Sequence, residues 1–368
     1  MPDASPPPSS SAGAPHKAPE PDGAEPELRD GLVVRSTGSW YDVRTDDGET
    51  VQARIRGRFR LDALEIDETN PLAVGDRVTL RTGDDGYGLV TAILPRRNQL
   101  SRRAAGRKAS VREHVLVANV DAAWCMQSTY GPKFNAGFVD RFLVAAEAYH
   151  LDTGLVINKI DLIDDNARAR DAIGFWAELY RGLGYPVLLT SAEQDRGVDA
   201  FRERLEGQVS VVSGPSGVGK SSLLNAIVPD LDLATSEVSE STQKGRHTTT
   251  FATLLPVAGG WVADTPGIRE FGIWDMPPAE LGGYFVEFQP HIPHCRFGDC
   301  THDSEPGCAV QQAVDDGQIS LERFGSYHVI LEDVRAEYET ARRMKWRTGH
   351  RPDDPDEPVE EPDEPDAA

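Results

Sequence analysis

The run Gly214-Pro215-Ser216-Gly217-Val218-Gly219-Lys220-Ser221 satisfies the phosphate-loop spacing G-x-x-x-x-G-K-[ST]. Its glycines let backbone N–H groups turn inward around phosphate oxygens, and a helix N-terminus behind them adds positive partial charge. Lys220 supplies a full charge for the β- and γ-phosphates, and the Ser221 hydroxyl is placed to ligate Mg²⁺, with Ser222 next in the cradle. Pro215 cannot donate an N–H, but it lies early in the loop, where little is lost. A nucleoside triphosphate with Mg²⁺ is the expected ligand.

Three further runs complete the chemistry. Asp264-Thr265-Pro266-Gly267 lies 43 residues after Ser221. An Asp there holds Mg²⁺ through water, and the Gly267 N–H senses the γ-phosphate. Between them, Gly245-Arg246-His247-Thr248-Thr249-Thr250 offers a hydroxyl that closes over Mg²⁺, from Thr248, Thr249 or Thr250. Base choice is carried by Asn158-Lys159-Ile160-Asp161. A carboxylate at 161 accepts from the N1–H and the exocyclic amine of guanine. Adenine lacks that donor pair, so such a site rejects ATP by leaving a charge unpaired. Asn158 and Lys159 brace the pocket, and backbone N–H groups around Ser191 and Ala192 face the guanine O6.

A separate cluster points to a metal. Cys295, Cys300, His302 and Cys308 form a Cys₃His set suited to one structural Zn²⁺, with no open position for water. His291 and His294 are alternatives to His302. The fourth cysteine, Cys125, falls in an apolar strand-like run and reads as core filling.

These residues need elements to hold them. From 113 to 275, strand-like runs (Ala122–Gln127, Gly154–Asn158, Val187–Ser191, Val209–Ser213, Gly260–Asp264) alternate with helical stretches, the pattern of a mostly parallel α/β sheet. Residues 31–95 read instead as about five short strands with Gly punctuation, a small barrel of the OB type and a candidate RNA-binding domain. On its third strand Gln52, Arg54, Arg56, Arg58 and Arg60 share one face. Residues 96–112 form a basic linker with seven bases and no acid. Residues 276–350 hold the Cys/His set and a helix with Phe324, Tyr327, Leu331, Val334 and Tyr338 at 3–4 spacing. Arg342, Arg343, Lys345, Trp346 and Arg347 near its end read equally as RNA contacts or as a solvated helix end.

Residues 1–30 and 351–368 are rich in Pro and acids, and read as disordered tails. The net charge is −22 over 368 residues, and the part between the tails is acidic too, which weighs against nucleic acid outside local basic stretches. Four cysteines exclude a disulfide scaffold, and no apolar run is long enough for a membrane span, so a cytoplasmic protein without a membrane partner is expected.

The order of the nucleotide motifs is unusual. The N-K-x-D run (158–161) and the S-A pair (191–192) precede the phosphate loop, whereas Ras-type enzymes place them after it. A circular permutation of the sheet accounts for this. With GVGKSS at 217–222, GRHTTT at 245–250 and C-x4-C-x-H-x5-C at 295–308, the chain resembles the circularly permuted GTPases of the RsgA family over about residues 31–346. Pro215 departs from that pattern, since many relatives carry a polar residue there.

The resemblance implies a late maturation factor of the small ribosomal subunit. Such a factor binds rRNA near the decoding centre as a monomer, hydrolyses GTP to GDP under stimulation by the subunit, and helps release another assembly factor. The residue after D-x-x-G is Ile268, which cannot orient water as the Ras glutamine does. His247 is the nearest candidate for that role, and the resemblance points to it as well; the competing reading is that Arg246 and His247 contact RNA phosphates. The alternative function is an RNA-binding adaptor with a degenerate nucleotide site, which intact Lys220, Ser221, Asp264 and Asp161 disfavour.

Overall fold

Period-two alternation in the N-terminal region builds a closed barrel. The computed structural model describes residues 28–55, 71–83, 86–103, 113–231, 233, 252–264 and 276–347. Strands β1 (Leu28–Ser36), β2 (Tyr41–Thr45), β3 (Thr50–Ile55), β4 (Arg77–Thr82) and β5 (Gly88–Ile93) pair in the order β1-β2-β3-β5-β4, and β4 returns to β1. Every other side chain (Val33, Val43, Val51, Ala53, Val78, Leu80, Val90) is buried inside. The expected tail 1–30 is therefore too long. Leu28, Arg29 and Asp30 are strand residues paired with Arg81, Leu80 and Thr79, because closing the barrel needs a long β1.

The expected basic linker 96–112 is also corrected. Gln99–Arg103 form β6, which pairs antiparallel with β7 (Glu113–Ala118). The hairpin is pinned to the barrel by a Val74↔Val117 bridge and by Gly75, where a Cβ would lie 2.0 Å from the Ala118 carbonyl oxygen. Two of the bases in this stretch are taken up internally. Arg96 grips the fully buried Asp76 carboxylate at 2.7 and 2.9 Å, and Arg97 pairs with Asp121 at 2.7 Å.

The central sheet begins at β8 (Ala122–Ser128), nine residues beyond the start expected for the α/β region. It continues through α1 (Ala136–Ala148), β9 (Asp152–Asn158), α2 (Ala167–Gly182), β10 (Val187–Leu189), α3 (Val198–Leu205), β11 (Val209–Ser213), α4 (Lys220–Ile227), β12 (Thr253–Val257) and β13 (Gly260–Asp264). The spatial order is β10-β9-β8-β11-β13-β12, parallel except for β12. Alternate residues of β8 face opposite sides: Ala123 and Cys125 pack toward α1 and α2, while Ala122, Trp124 and Met126 pack toward α3 and α4. Gly154 makes room for Trp124, since a Cβ there would meet its ring at 2.4 Å. Barrel and sheet join edge to edge through the pair Arg35↔Thr253 of β1 and β12.

The C-terminal module docks on α1. Helix α1 is buried on two sides: Val139, Phe142, Leu143 and Ala146 face the sheet, and Val144 and Ala145 join a second core with Phe285, Phe288, Tyr327 and Leu331. Its frame is a 3₁₀ segment (Pro278–Tyr284), α5 (Ala309–Asp315) and the long α6 (Leu321–Arg347). Arg323 of α6, 1 % exposed, reaches Asp140 of α1 at 2.6 Å and Glu287 at 2.6 and 3.1 Å. Tyr180 of α2 donates to the same Asp140 carboxylate at 2.7 Å. Burial opposes the Arg323 charge, but the two carboxylates outweigh it and raise its basicity.

Candidate nucleotide site and metal cluster

The carboxyl ends of β8, β9, β10 and β11 converge on one edge of the sheet, the edge where open α/β folds bind ligands. Strand β11 runs into the loop 214–219, which turns into α4. Gly214 leaves the strand so close to β8 that a Cβ would lie 2.1 Å from the Met126 carbonyl oxygen. Gly217 and Gly219 take positive φ of 83° and 93°, which only glycine adopts readily. The Lys220 amine donates to the carbonyls of Gly214 (2.7 Å) and Pro215 (2.9 Å), so its charge lies across the loop. Ser221 is half-buried in the first turn of α4, and Ser216 and Ser222 are exposed.

The end of β9 touches this loop directly. Asn158, buried, donates from Nδ2 to the Val218 carbonyl at 3.0 Å. Lys159 takes a left-handed backbone (φ 62°) and donates from Nζ to the Gly217 carbonyl at 2.5 Å and the Gly131 carbonyl at 2.7 Å. Two motifs some sixty positions apart, in reversed order, thus meet side by side. Ile160 and Asp161 open the next 3₁₀ turn, with Asp161 half-buried.

From the β10 side, Thr190 bonds the same segment three times. Its N–H donates to Ile157, its carbonyl accepts from Ile160, and its hydroxyl donates to Asn158 Oδ1 at 3.0 Å. Ser191 is fully buried, its Oγ accepting from the Gln194 N–H, and Ala192 is half-buried. Strand β13 brings Asp264 to the same edge beside β11, through the pair Val211↔Ala263. His247, Thr248, Thr249 and Gly267 lie outside the described residues, as do Arg56, Arg58 and Arg60.

The four metal-ligand candidates gather as well. One ligand atom each from Cys295, Cys300, His302 and Cys308 lies within 4.8 Å of the others. Cys295 Sγ is 3.6 Å from His302 Nδ1 and 4.0 Å from Cys308 Sγ, and His302 Nδ1 is 3.4 Å from Cys308 Sγ. A tetrahedral zinc with ordinary bond lengths has edges of about 3.8 Å (S to S) and about 3.6 Å (S to N), so the set fits that ion. Neither His291 nor His294 belongs to the cluster.

The surroundings hold the ligands. His302 has a positive φ of 54°, and its ring fills the space where a Cβ on Gly282 would sit, 2.7 Å away. Burial lowers the basicity of His302, which favours the neutral ligating imidazole, and pushes the Cys300 thiol up to about 12. Ionising such thiols takes a cation. The loop 301–305 is tied by Glu305, which accepts from the Thr301 hydroxyl (2.6 Å) and the N–H groups of Thr301 and Asp303. Burial raises the Glu305 pKa, but these donors outweigh it and hold the carboxyl at about 2.

With the geometry in place, comparison with known proteins is informative. Residues 93–274 match the family model described as RsgA GTPase, and residues 30–90 match that of the RsgA N-terminal domain. A protein of Bacteroides fragilis named small ribosomal subunit biogenesis GTPase RsgA is 44 % identical over 305 residues, covering 82 % of this chain and 96 % of the relative. The chain belongs to the RsgA GTPase family. A Flavobacterium johnsoniae protein of the same name is 39 % identical over 314 residues (84 % and 95 % covered). The crystal structure of YjeQ from Thermotoga maritima superposes with a TM-score of 0.69 at 36 % identity, covering 84 % of this chain and 99 % of that one. The structure of YloQ, described as a circularly permuted GTPase, gives 0.67 at 31 % identity (87 % and 98 % covered).

RsgA-family membership implies Mg²⁺ with the nucleotide. Ser221, half-buried beside Lys220, has a hydroxyl oxygen, a donor type that suits that ion. The barrel of this RsgA-family chain carries an aromatic and basic patch of which the motifs alone announced only Arg54. Arg54 lies 3.6 Å over the Trp40 ring, and Tyr87 is tilted against Trp40 at 5.2 Å. Thr129 and Gly131, which bond the N-K-x-D segment, belong to no motif, and Thr190, read only with the backbone of the Thr190-Ser191-Ala192 run, bonds it through its hydroxyl as well.

Proposed function

We propose that this chain hydrolyses GTP to GDP while bound to the small ribosomal subunit, acting as a late assembly factor of that subunit. The observation that carries the reading is the contact of Asn158 and Lys159 with the backbone of Val218 and Gly217, which brings the segment that carries Asp161 against the loop 214–219. Asp161 reads the base, Ser191 and Ala192 present N–H groups to the guanine O6, and residues 214–222 wrap the phosphates. Lys220 swings from its loop carbonyls to the β- and γ-phosphates. Ser221, Asp264 and a threonine of 248–250 would hold Mg²⁺, which would supply neutralisation of phosphate charge. Gly267 follows the γ-phosphate.

Zn²⁺ on Cys295, Cys300, His302 and Cys308 is structural, because four protein ligands leave no position for substrate. The barrel binds rRNA through the Trp40–Arg54 face and the basic stretch after β6, and the protein works as a cytoplasmic monomer. Among the described residues no helix is long and apolar enough to cross a membrane. The names of the relatives support the subunit as partner.

His247 orients the attacking water once the subunit orders its loop. Turnover of GTP measured with and without purified small subunits tests the proposal. Stimulation is expected for the unaltered chain, with loss of stimulation but retained nucleotide binding in His247→Ala. A His247→Ala protein that is stimulated normally would remove that role, and an unaltered chain that binds subunits without hydrolysing GTP would favour the adaptor reading.

A further inference from the structure

We infer that Thr129, directly after β8, is a positioning residue that fixes the base-reading segment and so helps set guanine selectivity. The inference rests on the nucleotide reading above. Strand β8 lies beside β9, and its last pair is Ser128↔Asn158, so Thr129 comes level with Lys159, the second residue of N-K-x-D. Thr129 bonds that segment twice. Its N–H donates to the Asn158 carbonyl at 3.1 Å, and its hydroxyl donates to the Lys159 carbonyl at 2.6 Å.

Lys159 stands in a left-handed conformation that a lysine adopts only at an energetic cost. The peptide that follows it carries Ile160 and then Asp161, so the Lys159 carbonyl orientation aims the recognition carboxylate. Two grips stabilise that orientation. Thr190 accepts the Ile160 N–H from the β10 side, and the Thr129 hydroxyl takes the Lys159 carbonyl from the β8 side. Two residues further on, the Gly131 carbonyl accepts from the Lys159 amine, so one loop holds both the backbone and the side chain of that lysine. Thr129 is 8 % exposed, which leaves water little access to replace its hydroxyl.

Thr129→Val keeps shape and volume while deleting the hydroxyl. Affinities for GDP and IDP are measured on the full chain, its Thr129→Val variant and its Thr129→Ser variant. Inosine lacks the 2-amine, so the GDP-to-IDP ratio reports how well Asp161 is aimed. Thr129→Val should weaken GDP binding about tenfold and shrink the ratio about threefold, and Thr129→Ser should restore both. The ratio is set by folded molecules alone, so partial unfolding does not mimic the effect. An unchanged ratio, whether GDP affinity holds or falls in parallel with IDP, would overturn the role. If the unaltered chain bound neither nucleotide while Thr129→Val folded normally, the nucleotide reading itself would fall and the inference with it.

Discussion

Gly219 illustrates how much of the site depends on single atoms. A Cβ there would lie 2.5 Å from Asn158 Nδ2, and the backbone sits at φ 93°. Gly219→Ala therefore strains the loop and pushes away the asparagine that ties it to β9. We expect GTP affinity to fall by at least about tenfold, with most of the thermal stability kept, measured by nucleotide titration and melting. Such residues are legible in a sequence when chemistry demands a fixed type at a fixed local spacing. The cradle 214–222, Asp161 and the Cys₃His set meet that condition; the four metal-ligand candidates lie together, and Asn158 and Lys159 touch the loop at Val218 and Gly217. Thr129 and Thr190 do not meet it. Their hydroxyls matter because β8 and β10 flank β9, a neighbourhood that no local pattern records.

At the scale of elements, α1 is where the parallel sheet and the C-terminal module meet, and Arg323 is the contact that most needs both. Truncating it strands the Asp140 and Glu287 carboxylates in a dry interface. Arg323→Met should lower the free energy of unfolding by roughly 3–5 kcal/mol, read from denaturant titration, with a larger loss than for Arg343→Met at the exposed Arg343–Glu339 pair.

The barrel strands, the five parallel strands and helices α1, α2 and α4 are visible in the sequence because period-two and 3–4 patterns are strong there. Strands β6, β7 and β12 are not among those read from the sequence. Arg102 and Arg103 make β6 read as polar linker, and Pro256 within β12 argues against a strand, which survives because that strand pairs on the side of β13 and meets β1 only at Arg35↔Thr253. The basic stretch also misled in part, since Arg96 and Arg97 are consumed by Asp76 and Asp121.

For the molecule as a whole, the reversed motif order translates into the sheet order β10-β9-β8-β11-β13-β12. Motif order alone made that permutation readable. How the barrel and the C-terminal module attach was not readable, because an edge pair (Arg35↔Thr253) and a docking face on α1 that includes the buried Arg323–Asp140 pair make those joints between segments far apart in sequence. The permutation puts the D-x-x-G run (264–267) between β13 and the C-terminal module in the sequence.

That arrangement has meaning only if residue 161 and the loop at 214–222 grip the same nucleotide. Turnover of GTP and XTP by Asp161→Asn, and by Asp161→Asn combined with Lys220→Ala, tests this most directly. Xanthine offers an oxygen where guanine offers its 2-amine, so the account predicts that Asp161→Asn exchanges GTP turnover for XTP turnover and that adding Lys220→Ala abolishes the new activity. A nucleotide preference unmoved by Asp161→Asn, or XTP turnover indifferent to Lys220→Ala, would contradict it.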